Sequence, residues 1–221
     1  MTKHFVFAFF LLLIQSAALQ AGDGEITLPK PRMHKNVSLE EAFNRSRTDR
    51  IYSEKPLTLA EISAVLWAAA GKRYDAVNDA VTASTRTYPG RYTTSFCLVA
   101  GAVEGIEPGI YKYNWSDHSL KLVKQGDCRK ELIKSSPNAA FAAEAPATIV
   151  LGAVIRDSFT EQYKNSGLPL EAGFVTQNLR LEAMALNLRV GIAGSFDVPA
   201  VKKFLGIDLT PILLLTLGHR P

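Results

Sequence analysis

Two guanidiniums flank a hydroxyl in Arg47-Thr48-Asp49-Arg50-Ile51-Tyr52, a set able to clamp a phosphate. Each arginine presents a fork of N–H donors matched to phosphate oxygens, and the threonine adds one more. A second segment, Arg189-Val190-Gly191-Ile192-Ala193-Gly194-Ser195-Phe196-Asp197, reads as a small-residue turn followed by a new helix start. Its two glycines let backbone approach a ligand closely, so N–H groups around Ala193 and Gly194 can donate to a flat heteroaromatic ring. A third, Arg86-Thr87-Tyr88-Pro89-Gly90-Arg91-Tyr92-Thr93-Thr94-Ser95, sets basic residues around a proline and a glycine just ahead of a strand. Each segment also has a plain structural reading: a solvated charged helix end, a core helix with a glycine stop, and a turn into an edge strand. Hydrolytic and metal chemistry find no support. The chain has no G-x-S-x-G elbow, no P-loop and no G-x-G-x-x-G after a strand. Its four histidines, His4, His34, His118 and His219, are scattered without ligand spacing.

The elements that must position these residues follow from periodicity. Ser38-Leu39-Glu40-Glu41 fits a capping box opening a short helix, and Thr58-Leu59-Ala60-Glu61 opens a second that runs to Ala70 and stops at Gly71. Residues 72–89 are polar and lack sustained periodicity, which predicts a long loop. Tyr92–Ala102 reads as a strand, and Gly109–Tyr113 with Leu120–Val123 as a hairpin around Asn114-Trp115-Ser116-Asp117-His118. A short helix near Asp127–Lys134 precedes Ala147–Ile155, an apolar run suited to a central strand buried on both faces. Phe174, Val175, Leu179, Ala183, Leu186 and Leu188 recur at near-helical spacing and predict a long buried helix. A helix at Val198–Leu205 and a last strand at Ile212–Leu217 complete the chain. Helices and strands mix without strict alternation, so the fold class is α+β.

The first 21 residues combine Lys3, an unbroken apolar run from Phe5 to Ile14 and a small-residue exit at Ala17, Ala18 and Ala21. That pattern is a secretory signal peptide of the general export type, with no lipoprotein cysteine and no twin arginine. The run falls short of the roughly 20 apolar residues needed to span a bilayer. Cleavage after Ala18 or Ala21 is expected to send the remainder, with residues 22–221 as one domain and no membrane span, to the periplasm or outside. Removing residues 1–21 leaves 200 residues with a net charge of +3. The basic residues are dispersed, so no nucleic-acid partner is expected. Cys97 lies in an apolar run and reads as a core thiol; pairing with Cys128 is the alternative in an oxidising compartment.

In combination, these segments resemble the FMN-dependent nitroreductase family. Glu171-Ala172-Gly173-Phe174-Val175-Thr176-Gln177-Asn178 is similar to its E/D-A-G-x-x-x-Q-N helix, which leads to a small-residue turn and Phe-Asp. Arg47–Tyr52 resembles its R-S-x-R-x-F signature, with Ser46 where many relatives carry a further arginine. Arg86–Ser95 resembles an R-T-x-P-S-x-R-N-x-Q loop, with Tyr92 and Thr94 in place of Asn and Gln. Val103-Glu104-Gly105-Ile106-Glu107-Pro108-Gly109-Ile110-Tyr111-Lys112-Tyr113 is similar to the V-E-G-L-x-P-G-L-Y-x-Y run of SagB-type dehydrogenases. The resemblance spans about residues 26–218. It implies a nitroreductase-like fold, a mixed and mainly antiparallel sheet flanked by helices, in an interlocked homodimer with FMN in the groove between chains. It assigns Arg47, Thr48 and Arg50 to the phosphate and pyrimidine edge. Pro89, Gly90 and Arg91 fall along the ring, and Ala193 with Gly194 at flavin N5. It implies no catalytic side chain. The implied activity is electron transfer through FMN to a small-molecule acceptor such as a quinone or nitroaromatic, with residues 72–89 forming one wall of the pocket; the electron donor stays open. Ile212–Leu217 is a candidate for the dimer interface. The alternatives are an exported binding protein that keeps the fold without turnover, and a peptide azoline oxidase.

Overall fold

The computed structural model describes residues 24–32, 36–77, 79–85 and 93–221. The elements run β1 (Glu25–Thr27), α1 (Leu39–Arg45), β2 (Leu57–Thr58), α2 (Leu59–Ala70), β3 (Lys72–Asp75), β4 (Ala80–Ala83), β5 (Thr94–Ala100) and β6 (Val103–Glu104). They continue through β7 (Gly109–Asn114), β8 (Ser119–Gln125), α3 (Arg129–Lys134), a 3-10 segment (Pro137–Ala143), β9 (Ala147–Ala153) and a π-helical turn (Tyr163–Gly167). Last come α4 (Leu168–Ala185), β10 (Leu188–Ala193), α5 (Val198–Leu205) and β11 (Thr210–His219). A seven-stranded sheet in the order β1-β8-β7-β5-β9-β11-β10 is antiparallel at every pairing. The parallel contacts are the short β2–β6 pair and a single bridge from Thr48 to Val190.

Period-2 alternation explains the layering. Phe96 and Leu98 on β5, and Ile149 and Leu151 on β9, face a core closed by α2 and α4. Their neighbours Cys97, Val99 and Val150 face the opposite core, closed by α3, α5 and the 3-10 segment. The predicted central strand is therefore β9, with every residue buried. Cys97 and Cys128 are free thiols, and burial pushes Cys97 up to about 12, which makes it a core residue and no nucleophile.

Local chemistry sets the helix ends. Thr58 and Glu61 form the full reciprocal capping box. At α1 only half of it forms: Ser38 Oγ accepts from the Glu41 N–H, while the Glu41 carboxylate turns to Arg45 four residues on. Asp197 caps α5, and Gly206 ends it in the left-handed region at φ +66°.

Four expectations change. Residues 72–83 form an antiparallel hairpin, β3–β4, instead of part of a loop. Its outer face pairs exposed Tyr74 with exposed Val81, so no apolar periodicity advertises it. Ser84 and Thr85 then donate their hydroxyls to the α2 carbonyls of Trp67 and Ala69, at 2.6 and 2.7 Å. Residues 188–193 are strand β10 rather than a turn. Phe174 is 52% exposed; the buried line of α4 runs through Ala172, Val175, Leu179 and Ala183. Finally, Ile212–Leu217, expected to pair or pack at a dimer interface, lies inside the sheet with β9 and β10 on either side, so it offers no free edge for pairing and only packing stays open to it.

The N-terminal strand is held by a proton-ordered chain. Ser63 donates its hydroxyl to the Pro29 carbonyl, so His118 Nε2, 2.7 Å away, must donate to Ser63 Oγ. His118 Nδ1 then accepts from Tyr113 OH at 2.9 Å, and the His118 carbonyl accepts from the Leu28 N–H. Only neutral imidazole fits, and burial lowers the His118 pKa against a smaller opposing effect of the Pro29 carbonyl. A depressed folded pKa adds stability that is complete above the unfolded value near about 6.5 and is lost as pH falls through the folded value. The melting temperature is therefore expected to drop from pH 7 toward pH 5 by more in wild type than in His118→Asn, which suits the φ of +51° there. Parallel pH curves for the two proteins would remove His118 from the account.

Candidate functional site

Arg47–Tyr52 and the end of β10, more than 130 residues apart in sequence, lie side by side. Thr48 bridges Val190 in parallel, and the Asp49 N–H donates to the Val190 carbonyl at 2.8 Å. The Asp49 carboxylate pairs with Arg189. Arg50 reaches farther along β10, with Nη2 3.5 Å from the Ile192 carbonyl and its guanidinium carbon 4.9 Å from the centre of the Phe141 ring.

Tyr52 anchors this segment. Its hydroxyl donates to the Asp49 carbonyl at 3.0 Å and shares a short hydrogen bond with Thr216 on β11. Burial drives the phenol up to about 12. The ring lies against two glycines: a Cβ at Gly218 would sit 2.6 Å from Tyr52 Cδ1, and one at Gly191 would sit 2.6 Å from Tyr52 Oη and 2.8 Å from Phe141 Cε2. Gly191 is thus a glycine because three elements converge on it, not because the chain turns there. At Gly194 a Cβ would meet only Leu213 Cδ2, at 3.2 Å.

Of the sequence-predicted residues, Arg47, Thr48 and Arg50 are brought together with Ala193 and Gly194 along one edge of the sheet. Arg47, Thr48, Arg50 and Gly194 are exposed, and Ala193 is buried beneath them. Pro89, Gly90 and Arg91 lie outside the described residues, as does the signal segment at residues 1–21. Two arginines not singled out as ligands join the cluster. Burial, then Arg220 and Arg47, lower the Arg189 pKa, so three guanidiniums share one neighbourhood. No sequence signal marks Arg220, which reaches the site only because β11 pairs with β10 and ends beside it.

A second polar centre sits where β5 begins. Glu171 is 2% exposed and accepts from the Thr93 and Thr94 N–H groups at 3.2 and 2.9 Å. It also accepts from both threonine hydroxyls and from Tyr163 OH, at 2.7–3.0 Å. Thr94, where the resembled loop carries Gln, spends its hydroxyl on Glu171. Among the described residues no group of His, Cys, Asp and Glu is arranged to hold a metal ion, and no helix is long and apolar enough to cross a membrane.

The chain matches known proteins along most of its length. The nitroreductase family profile covers residues 44–219. A Methanocaldococcus jannaschii protein with a provisional nitroreductase name is 30% identical over 199 residues, 89% of this chain and 96% of the relative. A crystal structure of a provisionally named nitroreductase from Ralstonia eutropha superposes with a TM-score of 0.75 at 22% identity, over 92% of this chain and 93% of that one. Another, from Anabaena variabilis, gives 0.77 at 23% identity over 89% of this chain, which spans 42% of its length. The profile match over residues 44–219 and the 30% identical relative agree with the α+β architecture: the chain belongs to the nitroreductase family.

Proposed function

We propose that the chain is an exported FMN-dependent oxidoreductase that passes electrons to a flat organic acceptor and works as a homodimer. The observation that carries this reading is the Arg47–Arg50 segment held against β10 just ahead of Gly194. The donor set suits FMN: exposed guanidiniums and a hydroxyl for a phosphate, and accessible backbone past β10 for a ring edge. FMN, when bound, supplies the two-electron redox chemistry. The protein's share is binding and orientation. Arg47 and Thr48, with Arg189 and Arg220 behind them, hold the phosphate, and Arg50 meets the pyrimidine edge. The Ala193–Gly194 backbone faces the ring. Asp49 neutralises only part of this charge, leaving a net positive edge that favours anionic or electron-poor acceptors such as quinones and nitroaromatics.

A second copy of the chain suits the uncovered apolar side chains. Leu170 and Phe174 are 56% and 52% exposed one turn apart on α4, and Leu39 and Phe43 repeat the pattern on α1, which packs against α4. Apolar surface of this kind marks an interface. A rival reading, a binding protein without turnover, is favoured by one observation: Thr94 turns its hydroxyl to Glu171 and away from any ligand.

Titration of FMN into the purified protein tests the proposal. Saturable quenching of flavin fluorescence is expected, and the dithionite-reduced complex should be reoxidised anaerobically by menadione or nitrofurazone. Absence of binding overturns the flavin assignment. Binding without reoxidation by either acceptor selects the non-catalytic reading or a dedicated peptide oxidase, and a stable flavin-loaded monomer in sedimentation removes the homodimer.

A further inference from the structure

We infer that Phe141 is a positioning residue of the flavin site, acting through Arg50; the inference rests on the flavin assignment above. Arg50 is an exposed, long side chain, and such a side chain samples many rotamers unless something holds it. Two groups hold it here. The Ile192 carbonyl lies at 3.5 Å, the outer limit of a hydrogen bond, whereas the Phe141 ring sits 4.9 Å from the guanidinium carbon, well within cation–π range. The ring is therefore the stronger restraint.

The ring cannot drift. Phe141 belongs to the 3-10 segment Pro137–Ala143, whose Ala139 and Ala142 are fully buried beneath the sheet. On its other side it fills the space a Cβ at Gly191 would need. The missing side chain at Gly191 and the ring of Phe141 are two halves of one fit, and Arg50 lies over the result.

A ring restrains a guanidinium differently from a carboxylate. Stacking takes up the face of the guanidinium and leaves its five in-plane N–H donors unspent. A carboxylate would consume two of them in a bidentate pair and cancel the charge. At Arg50, among the described residues, one hydrogen bond, to Ile192, draws on that supply. The remaining donors stay available two residues from Gly194, with their direction fixed in advance, so a ligand there meets an ordered cation. Asp49 shows the contrast: it takes up part of the donor supply and the charge of the neighbouring Arg189, whereas the Phe141 ring takes neither from Arg50.

The test is a double-mutant cycle on FMN affinity, read by fluorescence quenching. Phe141→Leu keeps an apolar side chain and removes the π face; it is expected to weaken FMN binding about three- to tenfold. Phe141→Tyr, which keeps the face, should bind within about twofold of wild type. In an Arg50→Ala background Phe141→Leu should have no further effect, because its only route to the ligand is gone. A wild type that binds FMN, with Phe141→Leu silent or equally harmful with and without Arg50, overturns the inference and leaves the flavin assignment standing. A wild type that binds no FMN overturns both. Should Phe141→Leu fail to fold, Phe141→Met carries the same comparison, and the melting temperature of each apo variant separates loss of fold from loss of ligand.

Discussion

Replacing Glu171 by Leu is expected to lower the unfolding free energy by about 4 kcal/mol, a large part of the roughly 5–15 kcal/mol of a typical domain. The side chain is 2% exposed and accepts from the Thr93 and Thr94 N–H groups, from the Thr94 hydroxyl, and from the Thr93 and Tyr163 hydroxyl pair, which also share a hydrogen bond with each other. Burying a carboxylate costs several kcal/mol of hydration, and in the native state the charge-assisted hydrogen bonds, worth about 1.5–3 kcal/mol each, offset it. Leucine removes the acceptor and leaves the donors in place. The hydroxyls can turn to one another, as the 2.5 Å contact between Thr93 Oγ1 and Tyr163 OH already shows. The Thr93 and Thr94 N–H groups cannot turn, and each unsatisfied buried donor costs about 1–3 kcal/mol. Glu171→Gln keeps one acceptor oxygen and should cost about half as much. Urea unfolding at constant slope measures both, and a Glu171→Leu midpoint equal to that of wild type means the carboxylate does not carry these donors.

The same residue shows what the sequence exposed and what it hid. Elements defined by local chemistry were legible. The helix starts at Thr58 and Val198, the β7–β8 hairpin and the apolar β9 run all form where patterning places them. The errors come from tertiary contacts that reuse the same letters. Glu171 sits in a recognisable helical run, yet nothing local says that the start of β5 and the Tyr163 phenol deliver their donors to it. Gly191 looks like a turn residue, but it is a glycine because Tyr52, Thr216 and Phe141 pack on the strand there. Ile212–Leu217 pairs along both edges and is buried from Leu214 to Leu217, and to a linear reading such an apolar run looks the same as an edge strand free to pair. Of the residues proposed for the site, Arg47, Thr48, Arg50 and Gly194 can be nominated from sequence because each is a donor or a gap on its own. Arg189, Arg220 and Phe141 matter only through where strand pairing and a 3-10 turn put them.

Arg47→Ala combined with Arg50→Ala is expected to weaken FMN binding by about 3 kcal/mol, roughly a hundredfold, while lowering the melting temperature little. Both side chains are exposed, and neither takes part in an ion pair among the described residues, so the fold loses only the cation–π contact to Phe141 and the long bond to Ile192. Asp49, Tyr52 and the Thr48–Val190 bridge, which fix the segment on the sheet, are untouched. The loss should fall mainly on the phosphate. Each charge-assisted hydrogen bond contributes about 1.5–3 kcal/mol, and Arg189 and Arg220 remain to hold part of the charge. Riboflavin, which has the ring and no phosphate, separates the two arginines' roles. Arg47→Ala alone should weaken FMN and leave riboflavin nearly unchanged, whereas Arg50→Ala should weaken both, because its guanidinium is directed along β10 toward Gly194. Raising the salt concentration should narrow the gap between FMN and riboflavin in wild type and have little effect in the double variant, since screening acts on the same exposed charges. Equal FMN affinity in wild type and the double variant would show that the phosphate is held elsewhere, and equal losses for FMN and riboflavin in Arg47→Ala would move that residue from the phosphate to the ring.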